Sequence, residues 1–254
     1  MKRHVWIPDT QVRKGVETNH ILAAARAVVD YKPDELIVGG DWWDFPSLNT
    51  HSEKGSAELE NTRYQEDLDA GNEAFEMFCK PIEAEQKRLA QGKRKRWNLG
   101  KHFLRGNHED RADRVARNDP KWQGVIGSHN CQTRDFKVYP FLQILDLDGI
   151  AYSHFFQSTH SHRAIGGSIQ SMLSRIGRTF VMGHVQGFAY GAVPYPGNLR
   201  RHGLVAGSFY QHCEGYRGPQ GKDEWRGIVV MNEVRNGDYC IMPLTLEYLM
   251  GKYL

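Results

Sequence analysis

The stretch Leu36-Ile37-Val38-Gly39-Gly40-Asp41-Trp42-Trp43-Asp44 decides the fold class of this chain. Its apolar start is typical of a buried strand that stops at a glycine pair, and an acidic residue follows at once. Upstream, residues 5–7 form another short strand candidate, and residues 19–29 carry apolar side chains at helical spacing. A strand–helix–strand unit of this length predicts two parallel strands, and therefore an α/β protein.

The same patterns predict the elements downstream. Strands are expected at about 97–104, 138–147, 150–155, 179–182, 203–206, 226–234 and 239–243, and helices at about 57–89, 109–117 and 168–176. Pro81 is expected to kink or divide the first of these helices, and residues 46–57 to form an irregular loop. Because no repeat, linker or low-complexity segment is present, we predict a single domain over residues 1–254.

Composition excludes several classes of protein. Hydrophobic residues make up 40% of the 254 residues and charged residues 25%, which is ordinary for a globular protein. A net charge of +3 is compatible with a nucleotide or nucleic-acid substrate without indicating one. The four cysteines lack CxxC spacing, so we expect reduced thiols in or near the core rather than a zinc ribbon. Without a signal-peptide pattern or a long apolar run, we expect a cytoplasmic protein that does not enter a membrane.

Polar motifs follow the strand candidates in a fixed order. They are Asp9-Thr10-Gln11, Gly40-Asp41-Trp42-Trp43-Asp44, Gly106-Asn107-His108-Glu109 and Gly183-His184-Val185-Gln186, with a lone His154 between the last two. Strand ends of an α/β sheet meet at one edge, where such sheets bind ligands. Asp, Asn and His together suit a pair of cations such as Mn, Fe or Zn better than Ca, and such pairs serve phosphoryl chemistry.

This ordered set resembles the signatures of the calcineurin-like metallophosphoesterases, which are DxH, GDxxD, GNHE/D, a lone His and GHxH. The chain matches GDxxD and GNHE in full and has the lone His154. It departs from the family at Gln11 and Gln186, where the family has His. The resemblance runs from Asp9 to Gln186, and Gly207-Ser208 adds a further match. The spacing looks most like that of phosphoesterases encoded by phages and prophages.

The resemblance implies a two-sheet αββα sandwich with two divalent cations, Mn²⁺ foremost and Mg²⁺, Fe or Zn²⁺ as alternatives. The ligands implied for the first cation are Asp41, Asn107, His154 and His184. Those implied for the second are Asp9, Gln11, Asp41 and Gln186, with Asp41 bridging. His108 would act as proton donor or charge stabiliser, and Asp44 would orient it. Both glutamines are implied ligands of the second cation. Their weaker oxygen donors favour Mn²⁺ or Mg²⁺ at that position, or else leave it weakly occupied or empty.

The function that follows is hydrolysis of phosphate esters, with phosphodiesters first. Hydroxide held between the cations would attack phosphorus while His108 assists the leaving group. The substrate could be a nucleotide or a nucleic acid. One alternative is a DNA or RNA nuclease of the same superfamily, favoured by the basic run at residues 93–96. Another is a non-catalytic binding module that keeps the fold.

Several residues near the motifs have two interpretations. Arg111 and Arg114 could hold a phosphate or could lie on a surface helix. The pair His160 and His162 could approach the substrate or could belong to a solvated loop. The tryptophans of residues 42–43 could stack on a base, although core packing is the default expectation.

Overall fold

The structure is a computed structural model that describes residues 1–49, 60–92, 95–197, 199–212 and 224–254. Its strands are β1 (Lys2–Ile7), β2 (Glu35–Val38), β3 (Gly100–Leu104), β4 (Lys137–Tyr139), β5 (Leu145–Leu147), β6 (Ile150–Ser153), β7 (Phe180–Met182), β8 (Phe188–Tyr195), β9 (Leu199–Ala206), β10 (Gly227–Arg235) and β11 (Asp238–Thr245). Its α-helices are α1 (Asn19–Tyr31), α2 (Tyr64–Gln91), α3 (Asn107–Asn118), α4 (Ile169–Ile176) and α5 (Leu246–Tyr253).

The strands form two mixed sheets, which confirms the α/β class. In the first sheet the order is β11-β10-β1-β2-β3-β4, and β1 to β4 run parallel. In the second the order is β5-β6-β7-β9-β8, with β6, β7 and β9 parallel. The predicted parallel pair is confirmed, because Ile7 of β1 lies opposite Val38 of β2. The residues that follow these two strands therefore emerge at the same edge.

The two sheets pack face to face, with helices on their outer sides. Alternation along β1 sends Trp6 into the core between the sheets, while Val5 and Ile7 join the core beneath α1, α2 and α5. The ring of Trp6 stacks on Tyr152 of β6 with centroids 6.0 Å apart, and its Nε1 donates to the carbonyl of Ala206. Helix α4 packs on the outer side of the second sheet. The carboxyl ends of both parallel sets are thereby held side by side.

The strand predicted at 138–147 is wrong, because the chain changes sheet within it. Pro140 cannot donate to a strand ladder, and a turn follows in which the amide of Gln143 donates to the Pro140 carbonyl. Residues 137–139 therefore belong to the first sheet as β4, and residues 145–147 to the second as β5. The two residues between the strands predicted at 138–147 and 150–155, Asp148-Gly149, form the turn of a hairpin between β5 and β6.

Two other expectations need correction, and two elements were not predicted. Helix α2 begins at Tyr64 rather than near residue 57, and residues 57–59 lie outside the described part of the chain. Pro81 lies within this helix and does not divide it, because Phe78 and Ile82 on either side are packed in the core. Strand β8 and helix α5 were not predicted. Strand β8 is an edge strand, the position where a sheet tolerates Pro194.

The cysteines, the loop at 46–57 and the helices can be compared with the remaining expectations about thiol burial, irregular structure and membrane spans. Cys79 and Cys131 are buried free thiols, whereas Cys240 is free but exposed, contrary to the expected core position. Cys213 lies outside the described residues, as does most of the predicted loop at 46–57, whose first residues form a 3-10 turn at Pro46–Leu48. Among the described residues, no helix has the length and apolar character that crossing a membrane requires.

A buried histidine in α1 makes stability depend on pH. His20 is 1% exposed and packs edge-on against Phe209, and neither ring nitrogen meets a hydrogen-bond partner among the described residues. Burial lowers the pKa of His20 to about 4. The unfolded chain, with a His pKa near 6.5, therefore binds more protons below that pH than the folded protein does.

We expect the contribution of His20 to the free energy of unfolding to be most favourable above pH 6.5. This contribution should fall by about 3 kcal/mol as the pH drops to 4. Urea unfolding at pH 7 and at pH 4.5 measures this loss. A His20→Phe variant keeps an aromatic ring and has no titrating group, so most of the loss attributed to His20 should disappear. An equal loss in both proteins would contradict the assignment.

Candidate metal centre

The polar motifs converge from both sheets. Asp9 lies two residues beyond β1, Asp41 three beyond β2, and Asn107 three beyond β3 at the start of α3. From the second sheet, His154 directly follows β6 and His184 lies two residues beyond β7. Strands β1, β2 and β3 run parallel in the first sheet, and β6 and β7 run parallel in the second, so their carboxyl ends bring the motifs together.

Three of these residues form a group that could hold one metal ion. The ligand atoms of Asp41, His154 and His184 all lie within 4.8 Å of one another. Asp41 and His154 are buried, whereas His184 is partly exposed. Asn107 lies beside them, with its Oδ1 2.9 Å from Nε2 of His154. Two imidazoles with carboxylate and amide oxygens suit a borderline divalent cation.

The hydrogen bonds of His154 prepare it as a ligand. Its Nδ1 donates to the carbonyl of Gly39 at 2.9 Å, which leaves Nε2 facing Asp41 at 3.4 Å. Burial alone would lower the pKa of His154, but the Asp41 carboxylate outweighs it and raises that pKa to about 10. The same negative charge attracts a cation, which would displace the proton from Nε2. Burial lowers the pKa of His184 to about 4, so that ring is neutral, the form in which an imidazole can bind a cation.

The backbone around Asp41 needs two glycines. Asp41 has φ +50° and follows Gly40 at φ +92°, a left-handed conformation that glycine adopts without strain. A Cβ added to Gly106 would lie 2.1 Å from Oδ1 of Asp41. This close approach lets the amide of His108 donate to the same oxygen at 2.8 Å. The two motifs are therefore fitted to each other, and neither glycine can be replaced without moving Asp41.

Glu109 was not predicted to have a role, yet this buried carboxylate joins two loops of the site by hydrogen bonds. Its Oε2 accepts from the amides of Asp41 and Gly106, and its Oε1 from those of Trp42 and Trp43, at 2.7–3.1 Å. A glutamate three residues after a helix N-cap commonly accepts the N-cap amide, which is the sequence signal that was available. Its three bonds to the Asp41 loop could not be predicted from spacing.

His108 and Asp44 lie together, as expected. Nδ1 of His108 is 2.9 Å from Oδ1 of Asp44, and its Nε2 is 3.5 Å from Oδ2 of Asp41. Burial disfavours charge on His108, but Asp41 and then Asp44 raise its pKa overall. Arg111 donates from Nη2 to Nε2 of His108 and from Nη1 to the Asp44 carbonyl, each at 2.8 Å. Arg13 donates to Oδ2 of Asp44.

The residues implied for a second cation are arranged differently. Oδ1 of Asp9 accepts a hydrogen bond from the backbone amide of His184. Its Oδ2 accepts one from Nε2 of Gln186 at 3.2 Å. Oε1 of Gln186 in turn accepts the hydroxyl of Tyr210 at 3.0 Å. Gln11 has a buried Oε1 without a partner among the described residues, which could serve a cation. Gln186 presents its NH₂ group, which has no lone pair to offer.

The residues with two interpretations are now placed. Trp42 and Trp43 are fully buried and pack against Phe75 of α2, so stacking on a base is excluded. Arg114 pairs with Asp110 on the surface of α3. The turn that carries His160 and His162 is exposed. In the basic run, residues 95 and 96 are exposed, while Lys93 and Arg94 lie outside the described residues.

Two aromatic side chains beside the group of Asp41, His154 and His184 were not predicted from the sequence. The ring of Phe155 lies 4.6 Å from that of His184, and Phe141 packs edge-on against Phe155. The position of Phe155, directly after the lone His154, was the available signal.

A scan against protein-family models found no match to this chain, and neither did a search of curated proteins. Function is therefore inferred from the geometry of the site, and the family resemblance stays a prediction.

Proposed function

We propose that this protein is a metal-dependent hydrolase of phosphate esters, with phosphodiesters as its first substrate class. The observation that carries the proposal is the buried group of Asp41, His154 and His184, whose ligand atoms lie within 4.8 Å of one another, with His108 adjoining it. A divalent cation there would supply Lewis acidity toward a phosphoryl oxygen and lower the pKa of a bound water.

The protein's own groups supply the proton and the positioning. His108 directs Nε2 toward Asp41 and Nδ1 toward Asp44, so Nε2 is the atom that would protonate a leaving oxygen. In the free protein Arg111 donates to that same Nε2. A phosphoryl group is a stronger acceptor for a guanidinium, so an entering substrate would draw Arg111 away and release Nε2 for protonation.

The proposal includes the two-sheet αββα fold of the calcineurin-like metallophosphoesterases. Its support is the order of the motifs along the chain, together with two mixed sheets that pack face to face beneath outer helices. The two-cation scheme of that family has weaker support. Gln11 offers an oxygen for a second cation, whereas Gln186 turns its NH₂ group toward Asp9.

The test is hydrolysis of bis-p-nitrophenyl phosphate by metal-stripped protein, with and without added Mn²⁺. We expect turnover that depends on Mn²⁺ in the wild-type protein and is absent in Asp41→Asn, since that change removes the central charge of the group. A folded wild-type protein that binds Mn²⁺ without hydrolysing this diester or a panel of mono- and dinucleotide esters would contradict the proposal. That result is the one expected of a non-catalytic binding module.

A further inference from the structure

Protein groups alone satisfy the carboxylate of Asp9. This side chain is fully buried. Its two oxygens accept from the amide of His184 and from Nε2 of Gln186. A buried carboxylate needs such donors or a cation, and Asp9 has the donors.

The orientation of the Gln186 amide is fixed at both ends. At one end, a carboxylate can only accept a hydrogen bond, so Asp9 selects the NH₂ group. At the other end, the hydroxyl of Tyr210 donates to Oε1. Tyr210 is itself held, because its ring is buried, lies 4.6 Å from the guanidinium of Arg226 and stacks on His212. Turning the amide over would place Oε1 against the Asp9 carboxylate, which is unfavourable unless a cation separates them.

We propose that the chain of Tyr210, Gln186 and Asp9 takes the place of a second cation, so that this protein works with one divalent cation. The inference rests on the metal centre of the proposed function. The amide hydrogen of Gln186 supplies a fixed partial positive charge at Asp9, the position for which the motif comparison implied a full charge. The cation is held instead by the group of Asp41, His154 and His184.

Among the described residues, the side chains implied for a second cation offer few oxygens that are free of hydrogen bonds. Oδ1 of Asp41 accepts the amide of His108, and its Oδ2 faces His154 within the first group. Gln11 is then the one implied ligand with an oxygen that has no partner among the described residues. A single neutral amide oxygen is a poor substitute for the several oxygen or nitrogen ligands that divalent cations require.

The experiment measures how many cations each chain binds. Metal-stripped protein is dialysed against Mn²⁺, and bound metal is counted by mass spectrometry alongside electron paramagnetic resonance. We expect one Mn²⁺ per chain, with the spectrum of an isolated ion. In Gln186→Glu the donor is lost and a second carboxylate faces Asp9. That variant should bind two ions and show the spin coupling of ions about 4 Å apart.

A second variant tests the orientation of the amide without adding charge. Tyr210→Phe keeps the ring but removes the donor to Oε1, so it should admit a second Mn²⁺ at high concentration. The matched control is Tyr190→Phe, which loses a similar hydroxyl bonded to His202 and should stay at one ion. This pair also decides the matter if Gln186→Glu fails to fold.

The number of Mn²⁺ ions bound per chain distinguishes failure of this inference from failure of the proposed function. Two ions in the wild-type protein would overturn the inference and leave the metal-dependent hydrolase standing. A count of one that persists in both folded variants would also overturn it, because the amide would then not be what excludes the second ion. No bound ion in the wild-type protein would remove the metal centre, and both proposals with it.

Discussion

Replacing Glu109 by alanine is expected to lower the free energy of unfolding by on the order of 4 kcal/mol. The carboxylate accepts from four backbone amides, those of Asp41, Trp42, Trp43 and Gly106. Each buried amide left without an acceptor costs about 1–3 kcal/mol, less where water can enter. Because a domain of this kind is stable by only about 5–15 kcal/mol, the variant should lose much of its stability. Urea unfolding measures the loss.

The same change should also weaken the metal centre, because Glu109 fixes the loop that carries Asp41. Mn²⁺ affinity of the folded fraction should therefore fall, although Glu109 is not itself a ligand in the proposed centre. Glu73→Ala on α2 is the matched control, since Glu73 is exposed and such a change is usually within about 0.5 kcal/mol. A Glu109→Ala protein as stable as this control would show that the four amides find other acceptors.

Much of the fold could be predicted because its signals are local. The apolar runs of β1 and β2 and the helix between them determine a parallel pair, and the hairpin at Asp148-Gly149 is a turn of two residues with positive φ. The split at Pro140 could not be predicted, because a strand that changes sheet keeps the same apolar pattern on both sides. Strand β8 carries no fully buried residue and has an inner proline, so its pattern was weak.

For the site, the sequence predicted which residues converge and not how their polar atoms pair. Motifs at strand ends place Asp41, His154 and His184 together through topology alone. The orientation of Gln186 depends on Tyr210, which lies 24 residues further along the chain and belongs to no motif. The contact of Arg111 with His108 likewise depends on side-chain conformations within one turn of α3. Partners of this kind follow from packing, which spacing along a sequence does not encode.

His108→Ala is expected to lower kcat by about 10²–10⁴-fold on diesters with a poor leaving group, because proton donation to an alkoxide is lost. Nitrophenolate leaves without a proton, so hydrolysis of bis-p-nitrophenyl phosphate should fall much less. Bound Mn²⁺ should be unchanged, since the group of Asp41, His154 and His184 does not include His108. Measuring kcat across leaving groups of different basicity, with bound metal counted in the same samples, checks both parts.

The dependence on the leaving group distinguishes proton donation from a structural role. If His108 served only to hold Asp41 through its backbone amide, alanine would keep that hydrogen bond, and kcat would be unchanged for every substrate. If the ring acted by fixing the cation, every substrate would lose rate equally and bound metal would fall. His129→Ala, which changes an exposed histidine, is the control for a general effect of losing an imidazole. Uniform rate loss together with metal loss would therefore remove His108 from the role of acid.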